Sequence, residues 1–507
     1  MNDNNKRIAK NTLFLYIRMG ILMFVGLYTS RVVLHALGVE DYGVYNVVGS
    51  FVMAFAFIQT PIISSIQRFL NFELGLANGR VDVIMNLSFL VHAVLVFVLF
   101  IVVELAGLWY IDCKMVLPLD RLNAAHWALH FSLFALLVTI IRSPFEALII
   151  AHERMEFFAY ISVIEVALKL LNALLLLQID FDKLKIYSIN IFIISVTVAI
   201  AQFLFCRKNY LKEIKFDLHV PKSKLKEIFC FSGWSFLSGV ASMTANQGIN
   251  VLLNSFFGVI VNASMGVAVQ VQVVVQQFVG NFQKAFNPQI VKFYASKDLL
   301  NMQRLVIRSS RFSFLLLFVV VCPIMFNIDC LLKMWLKQVP DDSGIFCIFL
   351  LVWSLLESLM APLWTSVNAT GKIRNYHLVM NPIILSVIGI SYVALKLGYP
   401  AYSVVLIKCF VDVILLLVRM LFARRLIGLP IKKFVLESLF PITCVSIISI
   451  IPLFVVRKCV EDAFARLLIG FPIFLLFYVF LVLTIGLTKN ERGKVLPFIR
   501  GKISRVF

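Results

Sequence analysis

The chain has 507 residues, of which 61% are apolar and only 15% are charged. Soluble proteins carry about 45–50% apolar and about 25% charged residues, so this composition excludes an ordinary soluble enzyme and indicates a membrane protein with many spans. Lysine and arginine exceed aspartate and glutamate by 20 charges, an excess that either nucleic acid binding or basic cytoplasmic loops would explain.

Apolar segments of membrane-spanning length recur along the whole chain. Because a spanning helix needs about 20 mostly apolar residues, we predict an all-α multi-spanning membrane protein with about 14 transmembrane helices. Their approximate ranges are 11–36, 42–70, 83–108, 122–151, 157–179, 184–206, 227–257, 262–285, 307–327, 344–370, 377–396, 402–423, 438–455 and 465–487. The first segment is too long for a signal peptide and lacks an A-x-A cleavage site, so we expect it to remain as a helix.

The basic residues are concentrated in the loops of one side. If the N-terminus is cytoplasmic, 29 of them lie in inside segments, nine in outside segments and nine within spans. This distribution obeys the positive-inside rule, so we predict that both termini are cytoplasmic and expect no nucleic acid partner.

The sequence shows no motif for a cofactor or a metal. It contains no G-x-x-x-x-G-K-[ST] loop for ATP, and its nine cysteines show no CxxC spacing. The run His152-Glu153-Arg154-Met155-Glu156 stops short of the H-E-x-x-H zinc motif. We therefore expect no cofactor, no metal and no catalytic site, and we predict that the protein is not an enzyme.

Three short motifs recur at nearly one offset. The pairs are Gly43-Val44 with Gly266-Val267, Leu117–Asp120 with Val339–Asp342, and Arg154 with Lys372 or Arg374, at offsets of 223, 222 and about 220 residues. We predict two parallel six-helix repeats, a pattern found in transporters with the substrate site between the halves. The predicted regions are an N-terminal half (1–206), a basic cytoplasmic linker (207–226), a C-terminal half (227–423), and two extra helices with a basic tail (424–507).

Ionisable residues within spans are costly and are therefore candidate functional groups. The cations are Arg18, Arg31, Arg68, Arg142, Lys169, Lys284, Lys408, Arg419 and Arg466, and the anions are Glu104, Glu146, Glu165, Glu357 and Asp412. Three i,i+4 pairs, Arg142/Glu146, Glu165/Lys169 and Lys408/Asp412, either neutralise their helices for insertion or serve the site. Arg68, Lys284, Arg419 and Arg466 lie near span ends, where long side chains reach the membrane surface. Arg18, Arg31 and Glu357 have no partner on their own helices.

Amide side chains form stripes on the seventh and eighth predicted spans. Asn246 and Asn250 share one face of the seventh, and Gln270, Gln277 and Asn281 follow one stripe of the eighth. A second stripe on the eighth span contains Gln272, Gln276, Gln283 and Asn287. Hydrogen bonds between helices explain one stripe, and a wet cavity that binds sugar hydroxyls would explain the other.

Several motifs resemble one transporter family. Thr29-Ser30-Arg31, the stretch from Leu37 to Tyr45 and Gln67-Arg68-Phe69-Leu70 are similar to the first two helices of O-antigen and polysaccharide flippases. Asn254–Gly258, Asn287-Pro288-Gln289-Ile290 and Tyr294-Ala295 resemble the matching part of the second half. These flippases belong to the MOP (multidrug/oligosaccharidyl-lipid/polysaccharide) exporter superfamily, so the resemblance implies a MATE-like fold with a 6+6+2 helix plan.

The resemblance implies export of an oligosaccharide linked to a polyprenyl diphosphate across the cytoplasmic membrane. It also implies that membrane lipid and the proteins of polysaccharide synthesis and polymerisation are partners. A diphosphate favours Arg and Lys in a site of low dielectric. We expect Arg18, Arg31, Lys169 and Arg142 to bind the diphosphate and the amides Asn246, Asn250, Gln270, Gln277 and Asn281 to bind the glycan. Glu357, Asp412 and Glu165 are the candidates for coupling to H⁺ or Na⁺. A multidrug/cation antiporter of the same superfamily and a membrane glycan polymerase or ligase are the alternatives.

Overall fold

The chain is helical throughout the part that its computed structural model describes. This part comprises residues 3–55, 59–113, 115, 121–214, 222–336, 339–488 and 491–493. The helices are α1 (Asp3–Ala54), α2 (Gln59–Leu74), α3 (Val81–Cys113), α4 (Leu122–Ala151), α5 (Met155–Leu175), α6 (Lys183–Asn209), α7 (Lys222–Phe257), α8 (Val259–Ala295), α9 (Leu299–Phe326), α10 (Ile328–Trp335), α11 (Ser343–Ala369), α12 (Arg374–Lys396), α13 (Ser403–Ile427), α14 (Ile431–Phe434), α15 (Phe440–Ser449), α16 (Ile451–Cys459) and α17 (Ala463–Leu481). An apolar segment becomes helical in lipid because a helix pairs its backbone amides and carbonyls internally.

Most predicted spans coincide with these helices. Within the described residues, twelve helical segments are long and apolar enough to cross a membrane. The remaining two predicted spans correspond to the residues from 39 to 74 and to α13, which are not among the twelve. The all-α, multi-spanning architecture is therefore confirmed, whereas the number fourteen stays a prediction.

The same backbone break separates the first two helical segments of each predicted repeat. Gly38 (φ 79°, ψ 171°) interrupts α1, and Gly258 (φ 77°, ψ −168°) separates α7 from α8, 220 residues later. These torsions are accessible almost only to glycine. The predicted spans end at 36 and begin again at 42, and the non-helical residue within this interval is Gly38, with helix on both sides.

The chain divides into two compact units, Arg7–Phe236 and Leu237–Phe507 with Met1–Lys6. We call them the N-terminal and the C-terminal unit. In the N-terminal unit α4 is the central helix and packs against α2, α3 and α6; in the C-terminal unit α11 packs against α8, α9 and α13. The division falls within α7, and the predicted domain boundaries around 207–226 stay predictions.

A buried arginine joins α9 to the end of the described chain. The side chain of Arg311 is 1% exposed, its Nη1 donates to the carbonyl of Glu437 at 2.7 Å, and its Nη2 pairs with the Glu491 carboxylate. Arg308 Nε lies 3.2 Å from the same carboxylate. Both arginines are helical residues of α9, which begins at Leu299, eight residues before the predicted start of this span at 307.

Candidate functional site

An ionic cluster in the N-terminal unit joins α4 to α5. Arg142 Nη1 donates to Glu165 Oε2 at 3.0 Å, and Lys169 Nζ donates to Glu165 Oε1 at 2.8 Å. Glu165 thus has a cation on each carboxylate oxygen, an arrangement that compensates the loss of hydration when charges are buried. The predicted Glu165/Lys169 pair is present, whereas Arg142 binds Glu165 on the neighbouring helix instead of Glu146 on its own.

Arg18 of α1 lies beside this cluster without joining an ion pair. Its guanidinium carbon is 4.5 Å from the centre of the Phe158 ring on α5, a cation–π contact. Its Nε is buried and has no hydrogen-bond partner among the described residues. Glu146 and Glu165 attract it from longer range. The structure therefore brings three of the four predicted diphosphate residues, Arg18, Arg142 and Lys169, to one region.

Arg31 does not belong to this group. It follows Arg18 by 13 residues on the same helix, which is about 20 Å at about 1.5 Å per residue, and it is exposed. The Arg18 and Arg31 side chains cannot both contact one diphosphate while α1 remains straight between them.

A second ionic cluster lies in the C-terminal unit, between α11 and α13. Arg419 Nη1 is 3.8 Å from Glu357 Oε1, with 10% of the arginine side chain and 38% of the glutamate side chain exposed. Asp412, two helical turns before Arg419 on α13, is buried and attracts the same guanidinium. Asp412 Oδ2 has no hydrogen-bond partner within the described chain. The two predicted coupling carboxylates of this unit thus share one arginine.

Lys408 connects this cluster to α7. Its Nζ donates to Asn246 Oδ1 at 2.9 Å and lies 3.7 Å from the centre of the Trp353 ring on α11. The predicted i,i+4 ion pair between Lys408 and Asp412 is replaced by this bond to an amide of another helix. Asp412 and Glu357 still attract the Lys408 ammonium electrostatically, and Asn246 accepts its hydrogen bond.

The two amide stripes of α8 have different surroundings. On the first, Gln270 and Gln277 are exposed whereas Asn281 is buried. On the second, Gln272 is buried, Gln283 donates to the carbonyl of Ser358 at 3.4 Å, and Asn287 accepts from Thr365 at 3.2 Å. The second stripe thus bonds α8 to α11. On α7, Asn250 Nδ2 donates to Gln247 at 3.2 Å.

The sequence missed the most buried cation of the second cluster. Arg419 was expected to extend to the membrane surface, but it is buried against Glu357 and near the fully buried Tyr376. The signal was its spacing from Asp412, since residues seven apart lie on one helix face. Trp353, one turn before Glu357, was missed because a tryptophan in an apolar segment carries no distinguishing pattern.

No group of three or more His, Cys, Asp or Glu side chains that could hold a metal ion occurs in the part of the chain that the structure describes. The groups that the two clusters contain are paired charges, amides and aromatic rings. Such groups bind ions and polar ligands, and they exchange protons with water when a carboxylate is accessible.

Comparisons with known proteins give structural matches alone. No protein-family model matches the sequence, and no curated protein matches it. An outward-facing multidrug resistance MATE family transporter of the MOP superfamily has 13% identity and a TM-score of 0.65, covering 84% of this chain and 97% of its own. A MATE transporter in the bent conformation has 15% identity and a TM-score of 0.64, covering 85% and 97%.

A third match is a MOP superfamily transporter from Pyrococcus furiosus, described as having a binding pocket of reverse polarity that suggests a different function. It has 14% identity and a TM-score of 0.64, and covers 84% of this chain and 96% of its own. Agreement over this much of both chains extends through both units. The protein therefore has the fold of the MATE transporters.

Proposed function

We propose that this protein is a flippase of the cytoplasmic membrane that exports a polyprenyl-diphosphate-linked oligosaccharide by alternating access. The observation that carries the proposal is the charge within the predicted spans, which hold nine cations and five anions. Cations within spans that lack an equal number of carboxylates favour an anionic substrate, because each uncompensated charge in a membrane is costly.

The N-terminal cluster supplies the proposed diphosphate site. Arg18 forms none of the ion pairs within 4.0 Å found among the described residues, so its guanidinium can accept a ligand without first breaking one. Arg142 and Lys169 both neutralise Glu165, and a diphosphate would compete with that carboxylate for them. We therefore assign Arg18 the main role and Arg142 and Lys169 supporting roles.

Amides supply the proposed glycan contacts. Gln270 and Gln277 are exposed on α8, and exposed Asn246 lies on α7; amides both donate and accept hydrogen bonds, as sugar hydroxyls do. Asn250 belongs to the same face of α7, whereas buried Asn281 would act by supporting its neighbours. The polyprenyl tail would remain in lipid.

The C-terminal cluster supplies the proposed coupling step. Protonation of Glu357 would release Arg419 towards Asp412. Asp412 paired with Arg419 would attract Lys408 less strongly, and this would alter the contact between Lys408 and Asn246. Glu357 is the more exposed of the two carboxylates, so we assign it the exchange of the proton. Either H⁺ or Na⁺ at these carboxylates would have the same electrostatic effect, and Glu165 is a third candidate in the other unit.

A multidrug/cation antiporter is the second candidate, since a multidrug transporter shares the fold. The reversed pocket polarity described for the Pyrococcus furiosus protein makes pocket charge a criterion for function within this fold. A cationic drug would favour an acidic or aromatic cavity, and here Glu357 and Trp353 are the groups that fit one. A glycan polymerase or ligase, an enzyme, is the less favoured alternative because the matched structures are transporters.

A deletion strain separates these functions. We expect it to accumulate lipid-linked oligosaccharide in the inner leaflet and to lose surface glycan, because the lipid cannot cross the membrane. Wild-type protein should restore export, Arg18→Lys should restore it partly, and Arg18→Ala should reduce it at least tenfold at equal membrane levels. Arg457→Ala, which removes an exposed cation, is the control and should behave as wild type.

Unchanged surface glycan together with drug hypersensitivity in the deletion strain would contradict the flippase and support the antiporter. Lipid-linked oligosaccharide that reaches the outer leaflet unpolymerised would instead support the polymerase or ligase.

A further inference from the structure

A cavity of about 390 Å³ lies in the N-terminal unit, away from both ionic clusters. Lys10 and Asn11 of α1 form one wall, and the turn 152–154 between α4 and α5 forms another. Tyr210, which follows the end of α6, closes it. Four helix ends meet here, and helix ends mark the surface of a membrane. The charge distribution predicts that this surface is the cytoplasmic one.

The cavity carries both signs of charge. Lys10 Nζ is 2.9 Å from Glu156 Oε2, and Arg154 Nη1 is 3.8 Å from Glu156 Oε1. Glu153 adds a second carboxylate and is buried. The two carboxylates would repel a simple anion, and Lys10 and Arg154 would repel a simple cation. A ligand that carries one charge of each sign finds a partner for both.

A buried amide points to a hydrogen-bonding ligand. Asn11 is 5% exposed, and its Nδ2 has no hydrogen-bond partner among the described residues. A buried donor without a partner is destabilising, and an acceptor placed in the cavity would satisfy it. Burial also raises the pKa of the Tyr210 hydroxyl, which therefore remains a neutral hydrogen-bonding group at physiological pH.

Glu153 keeps a carboxylate at a turn whose backbone favours glycine. It has φ 58°, and the matching turn of the C-terminal unit, 218 residues later, has Gly371 with φ 74°. A left-handed conformation is less favourable for a residue other than glycine. The C-terminal unit thus has a glycine at this turn, whereas the N-terminal unit has a glutamate there, at the cavity.

We propose that this cavity binds a zwitterionic phosphate ester of the phosphoethanolamine type. Lys10, Arg154 and Asn11 Nδ2 donate to the phosphate oxygens, and Glu153 and Glu156 accept from the ammonium group. The phosphate replaces Glu156 as the partner of Lys10 and Arg154, which frees that carboxylate for the ammonium. This site is independent of the transported substrate. Its ligand is either the headgroup of a membrane lipid or a soluble ester of the same chemistry.

The test is ligand binding to the full-length protein in nanodiscs or detergent, measured by native mass spectrometry. We expect phosphatidylethanolamine to bind at least tenfold more tightly than phosphatidylglycerol, which lacks the amine. Phosphatidylcholine should bind less tightly than phosphatidylethanolamine, because its quaternary ammonium donates no hydrogen bond. Soluble glycerophosphoethanolamine that binds as tightly as the lipid would identify a soluble source, and its weaker binding would identify the membrane.

Variants locate the site. Arg154→Gln and Lys10→Met should each weaken phosphatidylethanolamine binding at least tenfold. Lys10 is 61% exposed, so its replacement leaves the fold intact. Lys372→Gln, at the matching turn of the C-terminal unit, is the control and should bind as wild type. Equal binding of phosphatidylglycerol, or unchanged affinity in both Arg154→Gln and Lys10→Met, would overturn the proposal.

Discussion

Glu357 and Arg419 form an asymmetric pair. The carboxylate side chain is 38% exposed and the guanidinium side chain 10% exposed, so the carboxylate is the more accessible of the two partners. Breaking the pair leaves a nearly buried charge, which costs about 3–5 kcal/mol where no second partner is present. Asp412 also attracts the guanidinium electrostatically, and the proposed coupling step makes it the second partner. In that step Arg419 changes its partner without leaving its charge unpaired.

Glu357→Gln tests this exchange. The amide cannot ionise, so we expect transport by the variant to lose the part of its pH or sodium dependence that wild type owes to Glu357, and to lose at least fivefold in rate at the wild-type optimum. Transport should be measured across a pH series with and without sodium. Glu437→Gln is the control, because Glu437 has a similar exposure of 40% and pairs with Lys433 outside the cluster. Identical pH and sodium profiles in Glu357→Gln and wild type would return Glu357 to a structural role.

Spacing along one helix predicted part of these clusters. It predicted the ion pair between Glu165 and Lys169, because residues four apart share a face. It could not predict the contact of Arg142 with Glu165 or that of Lys408 with Asn246, because these contacts join different helices. Which helices are neighbours depends on packing among apolar side chains, and apolar segments of a membrane protein are too alike to specify it.

At the scale of helices, Gly38 and Gly258 place the same turn at matching points of the two predicted repeats. The sequence suggested the repeat through Gly43-Val44 and Gly266-Val267, which lie several residues farther on. It did not indicate the turn, because a glycine within an apolar helix has the same appearance whether its φ is positive or negative. The torsion is set by the helices on either side.

Gly38→Ala tests the requirement for this conformation. A Cβ at Gly38 would meet no atom of the described residues within 4 Å, so the expected loss of about 1–3 kcal/mol comes from the backbone conformation. Thermal unfolding in detergent should detect it as a lower midpoint. Gly43→Ala is the matched control: its Cβ also has open space, but Gly43 is helical, and alanine favours a helix by about 1 kcal/mol. A midpoint unchanged in Gly38→Ala would mean that the turn tolerates a side chain.

At the scale of the whole molecule, composition alone established the class of protein, since nothing but a membrane accommodates so many apolar residues with so few charges.

The orientation of the protein in the membrane is predicted from the distribution of basic residues, and native cysteines allow a direct test of it. Cys113 ends α3 and Cys459 ends α16, both at predicted outer ends, whereas Cys230 lies near the predicted inner end of α7. All three are exposed.

A membrane-impermeant thiol reagent added to intact cells should label Cys113 and Cys459 and should leave Cys230 unlabelled. Single-cysteine variants, with the other eight replaced by serine or alanine, identify each site, and labelling of permeabilised cells controls for reactivity. Labelling of Cys230 from outside would reverse the predicted orientation of both termini.

The contact between Arg311 and Glu491 has a consequence for biosynthesis. The two residues are 180 positions apart in the sequence. At about 5–20 residues per second, the ribosome makes the arginine about 10–35 s before its carboxylate partner exists. During that interval water or lipid phosphates must solvate the guanidinium, so α9 cannot reach its final environment until the last described segment has been made. Assembly of this region is therefore completed only after the remaining helices have been synthesised.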